Sequence, residues 1–206
     1  FLLLFIFLPT FYNISLGFAL STIGLVILLS RFFDVFSDIF IGYITEKRLI
    51  NGRSKKNQIL LGFFIFIFSL IGLYIVQSTN IYLFIFYYNL ALISYSIAII
   101  PYDSIVIDQK KISKKRFQLA TVKEIFTIAG VLAALAIPTI ISQHLSLDLL
   151  NPDVIKISGY IMIFLAIIGT FIFYFFYEEN INFKSQSISL AQIILFLKSN
   201  KKIYDF

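Results

Sequence analysis

The stretch RFFDVFSDIF, residues 31–40, places one arginine and two aspartates inside a long apolar segment, GFALSTIGLVILLSRFFDVFSDIFIGYI at 17–44. An ionised side chain at the centre of a bilayer costs about 2.5–3.5 kcal/mol on insertion scales. Spacings of three and four residues put Arg31, Asp34 and Asp38 on one face of a helix. That face is therefore expected to point into a helix bundle or a wet cavity rather than toward lipid.

The composition of the whole chain supports a membrane setting. Of its 206 residues, 59% are hydrophobic and 14% are charged, whereas soluble domains have about 45–50% and about 25%. Cysteine is absent and His144 is the only histidine, which excludes disulfides, zinc–thiolate sites and histidine-rich metal sites. No nucleophile–base pair or phosphate loop occurs, so we expect neither an enzyme nor a bound cofactor.

Six segments are long or apolar enough to belong to membrane helices, since a crossing needs about 20 residues. The first is shortened at its start, and a short amphipathic helix at 188–199, ISLAQIILFLKS, follows the last. We expect 1–177 to form an N-terminal transmembrane bundle and 178–206 a cytoplasmic linker. The six predicted segments are 1–12, 18–45, 58–77, 81–107, 117–142 and 156–177.

The distribution of lysine and arginine predicts the orientation. Of the 17 basic residues, only Lys156 lies in the alternate loops, and only Arg31 and Lys123 lie within spans. The positive-inside rule then puts the basic loops and both chain ends in the cytoplasm. Because these residues are spread over short loops without a basic patch, we expect no nucleic-acid partner. The basic residues of the predicted cytoplasmic loops and tail are Lys47, Arg48, Arg53, Lys55, Lys56, Lys110, Lys111, Lys114, Lys115, Arg116, Lys184, Lys198, Lys201 and Lys202.

Two interpretations of the charged face stay open. Arg31 and Asp34 either neutralise each other and tie helices together, or belong to a binding site. The first interpretation leaves Asp38 without a counter-charge. Two aspartates one turn apart, with Ser37 beside them, suit a small cation such as Na⁺ or a proton. We expect the two carboxylates to titrate as a coupled pair.

Polar residues also interrupt the fourth and fifth spans. Pro101 frees a backbone carbonyl, which indicates either a tolerated kink or a binding site. Tyr95 and Ser96 either bond across helices or face a cavity. Asp103 is expected to pair with a basic loop or with the fifth span. Lys123 is either the counter-charge of the second-span aspartates or a side chain that snorkels to the cytoplasmic face.

These motifs together resemble the glycoside–pentoside–hexuronide:cation symporters, the melibiose-permease branch of the major facilitator superfamily. RFFDVFSDIFIGYITEK at 31–47 is similar to that family's Arg-x-x-Asp-x-x-x-Asp-Pro-x-x-Gly pattern, with Ile39 in place of the proline. PYDSIVID at 101–108 resembles its Pro-Tyr-Asp-Ala-Leu-Gly-Ala-Glu stretch. The matching residues are Arg31, Asp34, Asp38, Gly42, Gly52, Arg53, Pro101, Tyr102, Asp103, Asp108, Lys123 and Gly130.

The resemblance implies an all-α membrane fold, the N-terminal six-helix half of a bundle of about twelve helices. It implies cation-coupled symport of a sugar or related solute, with a C-terminal half beyond this chain. The cation site would comprise Asp34, Asp38, Ser37 and Ser96, with Na⁺ or a proton as coupling ion. Arg31 and Lys123 would balance charge, and Tyr95, Ile99 and Tyr102 would border the substrate cavity. The cytoplasmic gate would comprise Gly42, Gly52, Arg53, Asp103, Asp108 and Arg116.

Two features leave the substrate and the extent of the protein open. In the melibiose-permease branch an acid two residues before the helix-four proline binds sugar, and here that position is Ile99. A proton-coupled lipid or organic-acid transporter on the same scaffold, or a non-transporting sensor or assembly subunit, therefore stays an alternative. The chain opens without methionine and stops at IYDF, so we expect a piece of a longer protein. The expected location is a bacterial inner (plasma) membrane.

Overall fold

The described part of the protein consists of helices joined by short connections. A computed structural model describes residues 2–108 and 113–177, with side chains for 7–105 and 117–177. Six α-helices occur in these ranges, and α3 continues directly into one π-helix. They are α1 Leu2–Ile14, α2 Leu20–Ile50, α3 Lys55–Leu70, the π-helix Ile71–Val76, α4 Ile81–Asp108, α5 Ser113–Leu145 and α6 Pro152–Phe176.

Four helical stretches are long and apolar enough to cross a membrane. The helix α2 is not among the four, although it has 31 residues, and it carries the charged turn of residues 31–38. The described α1 has only 13 residues. All six predicted segments correspond to helices. The four stretches are Lys55–Val76, Ile81–Ile105, Phe117–Leu145 and Pro152–Phe176.

Most helices extend beyond the predicted ends. The helix α2 continues past residue 45 to Ile50, where Gly52 takes a positive φ of 68°. The Gly52 amide donates to the Leu49 carbonyl and the Arg53 amide to the Arg48 carbonyl. These two bonds form a Schellman motif, which satisfies the last carbonyls of a helix.

The helices α5 and α6 are also longer than predicted. The helix α5 covers 113–145 rather than 117–142. It starts earlier than predicted because its first turn carries basic residues that are good helix formers. The helix α6 begins at Pro152 rather than 156, since the Asn151 side chain accepts from the Asp153 amide and caps it. The predicted amphipathic helix at 188–199 and the predicted linker at 178–206 lie outside the described residues.

The core lies where α1, the π-helix, α4 and α6 meet. Tyr12 donates to the Leu73 carbonyl at 3.1 Å, and its ring centroid lies 4.5 Å from that of Phe84. The helices α3 and α4 lie in close contact at Gly62, where an added Cβ would lie 2.6 Å from the Ala98 amide nitrogen. The helix α2 packs against α4. This packing holds the charged turn of α2 against a fixed neighbour.

Candidate functional site

The charged turn of α2 contains a short ion pair between Arg31 and Asp34. Arg31 Nη1 lies 3.1 Å from Asp34 Oδ2, and the two side chains are 45% and 14% exposed. The two residues are three positions apart, so the pair forms within one helix and needs no second helix. The pair occupies one oxygen of Asp34. Its other oxygen, Oδ1, is buried and has no hydrogen-bond partner.

Asp38 lies one turn further along the same helix face. Its Oδ1 is also buried without a hydrogen-bond partner, and its charge interacts unfavourably with that of Asp34. An unpaired carboxylate oxygen removed from water is costly. These two oxygens, one helical turn apart, are therefore able to bind a cation or a proton.

Hydroxyl groups adjoin these carboxylates from two helices. The Ser37 hydroxyl donates to the backbone carbonyl of Asp34 at 2.9 Å, so its lone pairs stay open. Ser96 on α4 is buried, and its hydroxyl lies near enough to Asp34 to interact with it. The structure thus brings together four of the residues that the resemblance assigned to a cation site.

A cavity of about 400 Å³ opens beside Asp34 between α2 and α4. It contains two polar residues that the sequence reasoning missed, Ser30 and Asn89. Both are polar residues within apolar spans, and this feature of the sequence could have identified them as cavity residues. The remaining lining is mostly aromatic and aliphatic. The cavity is lined by Ser30, Phe33, Asp34, Phe36, Ser37, Phe40, Asn89, Leu92 and Ile93.

Ile99 and Tyr102 lie in a different cavity, of about 510 Å³, between α4, α5 and α6. Tyr102 packs its ring edge-on against Phe173, with the centroids 6.2 Å apart. Tyr95, which the resemblance placed with them, instead packs against Phe66 of α3 at 5.9 Å. The lining is almost entirely apolar apart from one ammonium group. It comprises Ile99, Tyr102, Ile105, Leu119, Val122, Lys123, Phe126, Thr127, Phe173 and Tyr177.

Lys123 pairs with Asp103 rather than with the α2 aspartates. Its Nζ lies 2.5 Å from Asp103 Oδ1, and the side chains are 28% and 43% exposed. The reason is geometric, because α4 packs against both α2 and α5. Because α4 lies next to α5, Asp103 of α4 contacts Lys123 of α5. The sequence allowed two partners for Asp103, a basic loop or the fifth span. In the structure its partner is Lys123 of the fifth span.

We predict that reversing this pair preserves the fold. Lys123→Asp or Asp103→Lys alone places like charges together and should lower the free energy of unfolding by about 1 kcal/mol, because both side chains are partly exposed. The double variant should recover most of that loss. Thermal melting of the purified full-length protein, followed by size-exclusion chromatography, measures both effects. A double variant less stable than either single variant would show that other contacts fix these two side chains.

Two of the predicted gate residues, Gly52 and Arg53, lie in the turn where α2 ends and α3 begins. Gly42 is half-buried, whereas Gly52 and Arg53 are exposed. Nearby, Gln58 of α3 donates to the buried Thr45 hydroxyl of α2 at 2.7 Å. This buried bond ties the two helices together directly beneath their connecting turn. The side chains of Asp108 and Arg116 lie outside the described residues.

Comparison with known proteins identifies the family. No curated protein and no solved structure matches the chain. A family model described as MFS/sugar transport protein matches residues 2–202, nearly the whole chain. With its apolar helices, this match makes the chain an integral membrane protein that acts on a small-molecule substrate. The chain therefore belongs to the MFS/sugar transport protein family of membrane transporters within the major facilitator superfamily.

Proposed function

We propose that this chain is the N-terminal half of a cation-coupled symporter and that Asp34 and Asp38 hold the coupling cation. The observation that supports this most directly is the pair of buried, unpartnered Oδ1 atoms one helical turn apart. A bound Na⁺ or proton would neutralise the repulsion between the two carboxylates. Ser37 and Ser96 would supply further oxygens, and Arg31 would hold the second oxygen of Asp34.

Neutralising the site would couple ion binding to the movement of the two halves. A negatively charged turn favours an arrangement in which it stays open to water, since burying net charge in lipid or protein is costly. Once the cation is bound, the turn can be enclosed between the halves, which then rock about the substrate site. The gate residues Gly52 and Arg53 would contact the second half on the cytoplasmic side, and both ends of this chain would lie there.

A second candidate substrate class is favoured by the cavity that contains Lys123. Sugars carry many hydroxyls, and a selective sugar site provides several polar groups to bind them. The cavity beside Ile99 and Tyr102 is instead mostly aliphatic and aromatic. Its surface suits an organic acid or lipid with an apolar body, whose acid group would compete with Asp103 for Lys123. Sugars and organic acids are therefore both candidate substrates.

We predict that one ion gradient drives solute uptake by the full-length protein in proteoliposomes. A Na⁺ gradient and a proton gradient would be imposed separately, with labelled glycosides, pentoses, uronic acids and medium-chain fatty acids as solutes. Accumulation under one gradient and not under the other would identify the ion and the solute class. Equal, gradient-independent equilibration of a solute would contradict symport, and no uptake of any solute would favour a sensor or assembly role.

A further inference from the structure

An apolar groove runs between α3 and α6, which pack against each other along the bundle. The groove encloses about 420 Å³. Its aromatic rims are exposed, since Phe64 and Phe171 are 67% and 62% exposed, so the groove opens outward. The main apolar contacts come from Leu60, Phe64, Ile67, Ile167, Phe171 and Phe175.

The walls of the groove provide little for a polar ligand to bond. Thr170 lies in the groove, but its hydroxyl donates to the Ala166 carbonyl of its own helix at 2.7 Å. Apart from this residue and Tyr174, the lining is aliphatic and aromatic. A selective site for a sugar would need several polar groups aimed at the ligand. The groove therefore suits a hydrocarbon chain.

A lysine is held at one end of this groove. Lys56 lies one helical turn before Leu60, and its Nζ donates to the Tyr177 carbonyl at 2.8 Å. The same Nζ lies 5.0 Å from the ring centroid of Tyr174, and Tyr174 also lines the groove. Both of these contacts are made by neutral groups. They position the ammonium group beside the groove without cancelling its charge.

The segment that leads into α3 makes this end of the groove strongly basic. The stretch EKRLINGRSKK at 46–56 contains five basic residues and one acidic residue. By the positive-inside rule we expect this end of the bundle at the cytoplasmic face. Anionic lipids are concentrated in that leaflet, and basic pockets between membrane helices bind their headgroups. The charge of this end is thus complementary to an anionic headgroup.

The length of the groove fits one leaflet of a bilayer. From Leu60 to Ile67 the helix α3 rises about 10 Å, and one leaflet contributes about 15 Å of hydrocarbon. The helix α3 begins at Lys55 and α6 ends at Phe176, so Lys56 marks the headgroup end. A chain that enters there would lie along most of the depth of that leaflet.

We propose that this groove binds one anionic phospholipid of the surrounding bilayer. Its phosphate would contact the Lys56 ammonium, and one acyl chain would lie between α3 and α6. A second copy of this chain is a poorer occupant. A two-fold contact through the groove would bring two Lys56 side chains to the same level of one interface, where like charges repel. The lipid site lies apart from the charged turn of α2 and does not depend on which ion or solute is transported.

The test measures lipid binding to the full-length protein by native mass spectrometry in a neutral detergent. Phosphatidylglycerol and phosphatidylcholine with the same acyl chains are titrated separately. We expect the first phosphatidylglycerol to bind more tightly than the first phosphatidylcholine. Lys56→Gln should weaken phosphatidylglycerol binding about fivefold, as for one lysine at a membrane surface, and leave phosphatidylcholine binding unchanged. Lys47→Gln is the matched control, because it removes the same charge from an exposed position of the same basic segment.

A second variant tests the apolar part of the site without changing any charge. Ile167→Trp places a bulky ring in the groove and should weaken the binding of both lipids. Ile167 is 47% exposed, so the melting temperature should stay near that of the wild type. Equal losses in Lys56→Gln and Lys47→Gln would indicate diffuse attraction and overturn the site. Wild-type binding in both Lys56→Gln and Ile167→Trp would also overturn it, as would a lipid-free dimer that Ile167→Trp dissociates.

Discussion

Replacing Asp38 with asparagine is expected to abolish cation-driven uptake while the protein still inserts and folds. The Oδ1 atom of Asp38 is buried without a partner, so the folded protein loses no hydrogen bond at that atom. A bound cation would lose a charged ligand. Charged hydrogen-bonding partners contribute about 1.5–3 kcal/mol, and the upper value corresponds to about a hundredfold weaker cation binding.

The measurement is uptake of the best solute as a function of the concentration of the driving cation. Asp38→Asn should shift the half-saturating concentration about a hundredfold upward or eliminate the dependence. Asp148→Asn is the matched control, since it makes the same chemical change at an exposed position of the α5–α6 connection. Normal coupling in Asp38→Asn would show that Asp34 suffices, and a site comprising both aspartates would be wrong.

The charged turn illustrates how far residue spacing predicts a site. Spacings of three and four placed Arg31, Asp34 and Asp38 on one face. The structure has Asp34 in the cavity between α2 and α4, with Asp38 one turn further along α2. Spacing did not distinguish how deeply each side chain lies. Arg31 is 45% exposed and Asp34 is 14% exposed, because burial depends on which neighbouring helix covers each position of the face.

The pairing of Lys123 shows what local sequence does not contain. Its partner, Asp103, is 20 residues away on another helix. Which of several acids meets it depends on the order in which helices pack around the bundle. The π-helix at 71–76 is similar, since IGLYIV has no local feature that distinguishes it from an α-helical segment. Its wider turn forms where Gly72 and Gly159 permit close contacts with Tyr87 and Tyr74.

Hydropathy predicted the existence of the helices because lipid requires each crossing backbone to satisfy its own hydrogen bonds. It did not predict their ends, since helices extend beyond the apolar core when the flanking residues are good helix formers. The helix α2 continues through Lys47 and Arg48 and ends only at the Asn51–Gly52 turn. The signal for that end was the glycine, and not the loss of hydrophobicity.

Substituting leucine for Gly62 should have the largest effect on stability of any single change considered. An added Cβ would lie 2.6 Å from the Ala98 amide nitrogen and 2.9 Å from the Ser94 carbonyl oxygen. These are backbone atoms of α4, so no side-chain rotation relieves the overlap. The helices α3 and α4 would have to separate, at a cost of about 1–3 kcal/mol or more for overpacking.

Gly169→Leu is the matched control for this effect. Gly169 lies within α6, and an added Cβ there meets nothing within 4 Å. Since leucine favours a helix over glycine by about 1 kcal/mol, this variant should melt at the wild-type temperature or above. Thermal melting of both full-length variants in detergent tests the contrast. Equal melting of Gly62→Leu and Gly169→Leu would mean that α3 and α4 do not meet at Gly62. The α4 surface that presents Ser96 to Asp34 would then lack its support, because the same helix pair holds it in place.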